Sequence, residues 1–151
     1  MHKLDLIDKK ILDILQDNAR DSASNIAEII GMSIPSVTER IRKLQELGVI
    51  KGFRAVIDSK KLGYDVAAII TIISESSENY SVLIKHISDN HEILKCFSTT
   101  GNGSHILIIN TQNSSSLEKL LRTIQSWPGV MRTETQIILT SYKDDGKIKI
   151  P

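Results

Sequence analysis

Apolar side chains follow two rhythms along this chain, and the change between them divides it. Up to residue 47 they recur at intervals of three and four, the spacing that puts side chains on one face of a helix. Ile7, Ile11, Leu12 and Leu15 form such a stripe over residues 5–18. Asp5 is placed to cap this helix, and Asp8 lies in its first turn, where negative charge suits the helix dipole. Ile26, Ala27 and Ile30 mark a second, short helix; Val37, Ile41, Leu44 and Leu47 mark a third. Between these two, Gly31 is free to take the left-handed conformation that ends a helix, Ser33 caps the next, and Pro35 falls in its first turn. Gly48 ends the third helix, and residues 49–57 read as β-like with a turn at Lys51-Gly52, either a wing or a connecting strand. Residues 1–60 therefore read as a winged helix–turn–helix, the arrangement that lays one helix in the DNA major groove while another braces it.

From residue 66 the pattern changes to short apolar runs separated by helical stretches. Strands are expected over 66–74, 93–99, 104–111 and 133–141, and helices over 79–89 and 116–127, with a turn at Gly101-Asn102-Gly103. The order βαββαβ is that of a ferredoxin-like domain, four antiparallel strands with both helices on one face. Residues 61–151 form this second domain, and the fold class is α+β. The bare face of such a sheet normally alternates apolar and polar residues. Here residues 67–73 (AAIITII) and 106–109 (ILII) are apolar on both sides, as in strands buried on both faces. A second copy of the chain is the simplest cover, making a homodimer; a cover from the N-terminal domain or the tail is the alternative.

The formal net charge of +1 argues little for a nucleic-acid partner until its distribution is considered. Residues 1–35 carry −2 and residues 62–151 carry −1, while residues 36–61 hold seven basic against three acidic side chains, +4. That local excess falls on the third helix and the segment after it, as a phosphate-contacting surface requires. Off the buried stripe of the third helix lie Thr38, Arg40, Arg42 and Lys43; Ser33, Ser36 and Thr38 stand near its start, where base edges are met. Arg40 points either to DNA or to a carboxylate within the domain. Lys51 and Arg54 follow as phosphate contacts. Helix–turn–helix pairs also occur in domains that never touch nucleic acid, so a metabolite-sensing oligomer that modulates a partner protein without DNA remains the alternative.

Asp5-x-x-Asp8-x-x-Ile11-Leu12, Asn18-Ala19-Arg20, Ile26-Ala27, Ser33, Arg40-Ile41, Leu44 and Leu47-Gly48-Val49-Ile50 follow one another in an order and spacing that resemble the DNA-binding half of the Lrp/AsnC, or feast/famine, transcription regulators. Leu62-Gly63-Tyr64 and the βαββαβ half resemble the family's linker and effector domain, so the likeness spans nearly the whole chain. It implies a dimer, assembled further into tetramers or octamers, that binds double-stranded promoter DNA and responds to an amino acid. It also implies an effector pocket at the turn between the second and third strands, here Thr100, Gly101, Asn102, Gly103 and Ser104, completed by Thr133, Thr135 and Gln136. Glycines in such a turn bring backbone N–H groups close to a carboxylate. One departure stands out. Many members have an acid followed by an aromatic where this chain has Ser104 and His105, so the usual partner for a ligand's ammonium group is missing. With Lys61–Val66 and Thr133-Glu134-Thr135 resembling the asparagine-responsive branch, a small polar amino acid is the expected effector; a plain hairpin that binds nothing is the alternative.

No catalytic or metal-binding constellation is present: His2, His86, His91 and His105 are scattered, and Gly101-x-Gly103 lacks the rest of a dinucleotide fingerprint. An enzyme is not expected, nor a cofactor beyond an amino-acid effector. Cys96, the one cysteine, reads as a small core residue and precludes an internal disulfide. No apolar run reaches the ~18 residues of a membrane span, and residues 1–10 lack a signal-peptide core. A cytoplasmic protein with no membrane partner is the expectation.

Overall fold

The computed structural model describes residues 4–144 and 146–151. Two compact units emerge: the N-terminal residues to Val56 together with the tail Asp144–Pro151, and Ile57–Lys143. The expected boundary at residue 60 is close, but the tail differs from expectation by joining the first unit.

The first unit holds α1 (Leu6–Asp17), α2 (Ala23–Ile30) and α3 (Ile34–Glu46). Asp5 caps α1 in a reciprocal box: its carboxylate accepts from the Asp8 N–H at 2.8 Å, and the Asp8 carboxylate accepts from the Asp5 N–H at 3.3 Å. Ser22 caps α2, Gly31 ends it at φ +70°, and Ser33 caps α3. Ile11, Leu12, Leu15, Ile26, Ala27, Val37 and Leu44 close the core these helices share. Leu47 departs from the expected stripe. The helix stops at Glu46, so Leu47 leaves the helical rhythm as its C-cap and stays 49% exposed.

The expected wing strand does not form. Val49 and Ile50 both donate to the Leu44 carbonyl and close the end of α3, after which residues 51–58 run without strand pairing. Val56 is 98% exposed and Phe53 and Ile57 are also exposed. An isolated extended segment has no ladder to join, so β propensity alone does not make it a strand. The tail instead packs on α1. The Gln16 side chain grips the Ile148 backbone at both ends, accepting from its N–H at 2.8 Å and donating to its carbonyl at 3.0 Å. Lys147 pairs with Asp17 at 2.5 Å, and Ile150 packs against the helical core.

The second unit contains β1 (Val66–Ser74), α4 (Tyr80–Asp89), β2 (Ile93–Ser98), β3 (His105–Thr111), α5 (Ser114–Gln125) and β4 (Val130–Ile137). The strands lie in the order β2-β3-β1-β4, antiparallel throughout, as the βαββαβ pattern predicts. Leu83, Ile87, Leu117, Leu120 and Ile124 from the helices pack on Ala68, Ile70, Ile72, Leu107 and Ile109 of the central strands. Two expected boundaries move. Asn113, whose carboxamide oxygen accepts from the Ser116 N–H at 3.0 Å, starts α5 earlier than predicted. Gly129, at φ +83°, completes the turn after the helix, so β4 begins at Val130; it ends near Ile137 because its partner β1 begins at Val66. The opposite face of the sheet carries Ile69, Ile73, Ile106 and Ile108, all only half-buried. Apolar residues thus lie on both faces of the central strands while helices cover only one.

Candidate functional site

The third helix presents a charged surface whose members are held in different ways. Arg40 turns inward to α1: its Nη1 donates to Asp5 at 2.8 Å and to Asp8 at 2.7 Å. This pairing ties α3 to α1 and realises the second of the two expected partners for Arg40, a carboxylate within the domain. The Asp8 N–H and the Arg40 guanidinium hold the Asp5 carboxyl below the usual aspartate range, and the two carboxylates raise the pKa of Arg40.

Arg42 stays on the outer face. Glu39 grips its guanidinium with both oxygens, at 2.8 and 2.6 Å, and Glu46 pairs with it one turn on. Arg42 holds the Glu39 carboxyl below its ordinary range. Lys43 stands 3.9 Å from Glu39. These carboxylates were legible in the sequence as partners three and four residues away on one helix. At the helix start, the Ser33 hydroxyl accepts from the Ser36 N–H at 3.4 Å and lies 2.8 Å from the Ser36 hydroxyl. Thr38 is exposed, with its hydroxyl donating to the Ile34 carbonyl at 3.0 Å. Lys51 and Arg54 are exposed and make no ion pair among the described residues.

The second site is the hairpin turn joining β2 to β3. Thr99 donates to the Ser104 carbonyl at 3.1 Å, and the Ser104 N–H reaches the Ile72 carbonyl at 2.9 Å. Between them, the N–H groups of Thr100, Gly101, Asn102 and Gly103 find no acceptor among the described residues. Gly101 sits at φ +104°, a conformation glycine adopts without strain. Gly103 is needed for a different reason: a Cβ there would stand 2.3 Å from Thr71 Cγ2, so the turn folds down onto β1 at that point. Ser104 is fully committed, its hydroxyl lying 2.7 Å from that of Ser74, 3.2 Å from the Ile72 carbonyl and 2.9 Å from His105 Nδ1. His105 is buried edge-on against Tyr80, with ring centroids 4.7 Å apart, and burial lowers its pKa.

The sheet separates the residues expected to complete this pocket. Thr133 and Thr135 pair in register with Ile72 and Ile70 and so face the helices, where Thr133 accepts from the Gln125 side chain at 3.0 Å. Gln136 pairs with Ile69 and lies on the open face. Strand alternation prevents all three from lining one pocket. The remaining chemistry is sparse. Among the described residues no three His, Cys, Asp or Glu side chains cluster to hold a metal, and no helix is long and apolar enough to cross a membrane. His2 lies outside the described residues. Burial raises the Cys96 thiol pKa, opposite to what a nucleophile requires.

A helix–turn–helix unit followed by an antiparallel βαββαβ unit defines the class of DNA-binding regulators with a second, α+β domain. Comparison with known proteins agrees for both halves. Residues 66–148 match the family described as the Lrp/AsnC ligand binding domain, and residues 4–51 match a winged helix-turn-helix DNA-binding domain. The chain is 39% identical to the HTH-type transcriptional regulator FL11 of Pyrococcus horikoshii over 97% of both proteins. Its fold superposes on E. coli AsnC with a TM-score of 0.88 and 29% identity, covering 95% of this chain and 97% of that one. A feast or famine regulatory protein from M. tuberculosis, solved with L-methionine, gives 0.87 and 28%, covering 97% and 99%. The chain belongs to the Lrp/AsnC family of transcription regulators, and is not an enzyme.

Proposed function

We propose that this regulator works as a homodimer that reads promoter DNA with Ser36, Thr38, Arg42 and Lys43 of α3. Lys51 and Arg54 anchor it to phosphates, and a free amino acid at the β2–β3 turn adjusts its assembly. The carrying observation is the run of four backbone N–H groups, residues 100–103, without an acceptor among the described residues. Successive N–H groups in a glycine turn form a concave anion site, and an amino acid's carboxylate fits it. The M. tuberculosis relative was solved with L-methionine, which supports an amino acid as the ligand class. Asn102 at the tip and the absence of an acid at residue 104 favour a small polar side chain, asparagine foremost. The half-buried Ile69, Ile73, Ile106 and Ile108 supply a face for the second copy, and assembly into tetramers or octamers follows the family resemblance.

The ligand acts by preferring one arrangement of the DNA-binding units, and it shifts the equilibrium only by that preference. Calorimetric titration with the twenty amino acids, paired with light scattering and binding to its own promoter fragment, tests the whole scheme. Heat with asparagine accompanied by a change in assembly or DNA affinity is expected. Absence of heat with every amino acid removes the effector role and leaves the DNA-binding role standing.

A further inference from the structure

The chain passes between its two units at Val56–Ile57 and again at Lys143–Asp144. The first passage ends the connector that carries Lys51 and Arg54; the second begins the C-terminal tail. Among the described residues no hydrogen bond reaches the backbone of residues 51–57, so packing alone holds this stretch. Part of that packing comes from the tail, because tail and connector share a cavity of about 470 Å³. Lys51, Phe53 and Arg54 line it from the connector, Ile148 and Ile150 from the tail, and Leu15 from α1.

The tail is seated by a few polar bonds at the last turn of α1. The Gln16 carboxamide takes both backbone groups of Ile148, at 2.8 and 3.0 Å, and Lys147 reaches Asp17 at 2.5 Å. These bonds are exposed, Ile148 is exposed with them, and the tail spans a cavity where a core would be filled. Close packing is what makes a contact permanent, and exposed polar pairs contribute little. The seat is specific, since one side chain matches both the donor and the acceptor of one residue, yet it is weak enough to open.

We infer that residues 146–151 are a releasable strap that sets the affinity for DNA in general by holding the connector. Docked, the strap forms one wall of the cavity that positions Lys51 and Arg54. Released, it leaves both cations free to move, and DNA must then order them at a cost in affinity. The groove between α1 and the connector is thus a docking surface whose partner is the chain's own C-terminal segment. The inference rests on the proposed role of Lys51 and Arg54 at phosphates.

The test is binding of the full chain to a random-sequence duplex at fixed salt, read by fluorescence anisotropy. Gln16→Ala and a chain ended after Lys143 are each made in the wild-type background and in Lys51→Ala with Arg54→Ala. All are compared at a temperature where circular dichroism shows every variant folded. Alanine is the best helix former, so Gln16→Ala breaks both tail bonds without weakening the helix itself. In the wild-type background the shortened chain should bind roughly 5- to 30-fold more weakly, the cost of ordering two long side chains, and Gln16→Ala should show part of that loss. With both cations already removed, neither change should alter affinity further, because the strap has nothing left to hold. Wild-type affinity in the shortened chain, or an equal loss in both backgrounds, overturns the inference and leaves the phosphate role standing. If Lys51→Ala with Arg54→Ala binds random DNA like wild type, the phosphate role falls and the inference with it.

Discussion

Arg40→Ala separates a structural role for α3 from a DNA-reading one. In the native unit, one guanidinium nitrogen answers two carboxylates at 2.8 and 2.7 Å. The Asp8 side chain is only 11% exposed and that of Arg40 30%. Removing Arg40 leaves Asp8 nearly buried beside Asp5, without its cation. An exposed ion pair contributes roughly 0–1 kcal/mol, whereas breaking a buried pair costs about 3–5 kcal/mol. This geometry lies between those limits, so a loss of about 2 kcal/mol is expected. For a unit of this size each kcal/mol lowers the melting temperature by about 4–8 °C, so the helical transition should fall by roughly 10 °C.

Thermal unfolding followed by far-ultraviolet circular dichroism measures this directly. In a double-mutant cycle with Asp8→Asn, the Arg40→Ala penalty should shrink, because the neutral amide no longer needs the cation. Acid gives an independent check. The folded Asp5 carboxyl lies below its unfolded value, so its contribution is present above ~pH 4 and is lost as the pH falls through the folded value. The acid-induced loss should be shallower in Arg40→Ala. If Arg40→Ala melts like wild type but loses sequence-specific DNA binding, the clamp is wrong and Arg40 reads DNA.

Other substitutions test the remaining parts of the site. Gly103→Ala drives a Cβ into Thr71 and should destabilise the second unit by roughly 1–3 kcal/mol and weaken amino-acid binding; Thr71→Ala, which removes the clashing methyl, should restore both in thermal-shift and calorimetric assays. Ending the chain after Lys143 removes the Ile150 cover and both Gln16–Ile148 hydrogen bonds, so hydrogen exchange of α1 should accelerate as about 1–2 kcal/mol is lost. Arg42→Ala should cost about 1–3 kcal/mol on the preferred operator and relax specificity, while Lys51→Ala should weaken all DNA alike and lower the salt slope by about one.

Much of this molecule was legible because its signals are local. Asp5-x-x-Asp8 caps a helix with its own backbone, and Gly31-x-Ser33 closes one helix and opens the next within three residues. What escaped the sequence depends on distant pairing. The register of β4 follows from where β1 begins, and that register decides that Gln136, not Thr133, lies on the open face. The tail's return to α1 spans the whole chain and rests on one glutamine, one lysine–aspartate pair and a few apolar contacts, too weak a pattern to read linearly. Residues 49–57 have the composition of a strand, but no neighbour among the described residues supplies the ladder.

The charges on α3 bear on how a protein with so little net charge engages DNA. Arg42 and Lys43 are accompanied by Glu39 and Glu46, so the exposed face of the helix is close to neutral before any DNA arrives. Phosphates meet carboxylates there as well as cations, which weakens indiscriminate attraction. Exchanging an exposed glutamate for a base edge is inexpensive, because exposed pairs contribute at most about 1 kcal/mol. A guanine edge that takes both donors of Arg42 returns more than that. Lys51 and Arg54, which make no such pairs, retain their full attraction for any phosphate backbone. The proposed reading therefore assigns affinity for DNA in general to the connector, and the choice among sequences to α3.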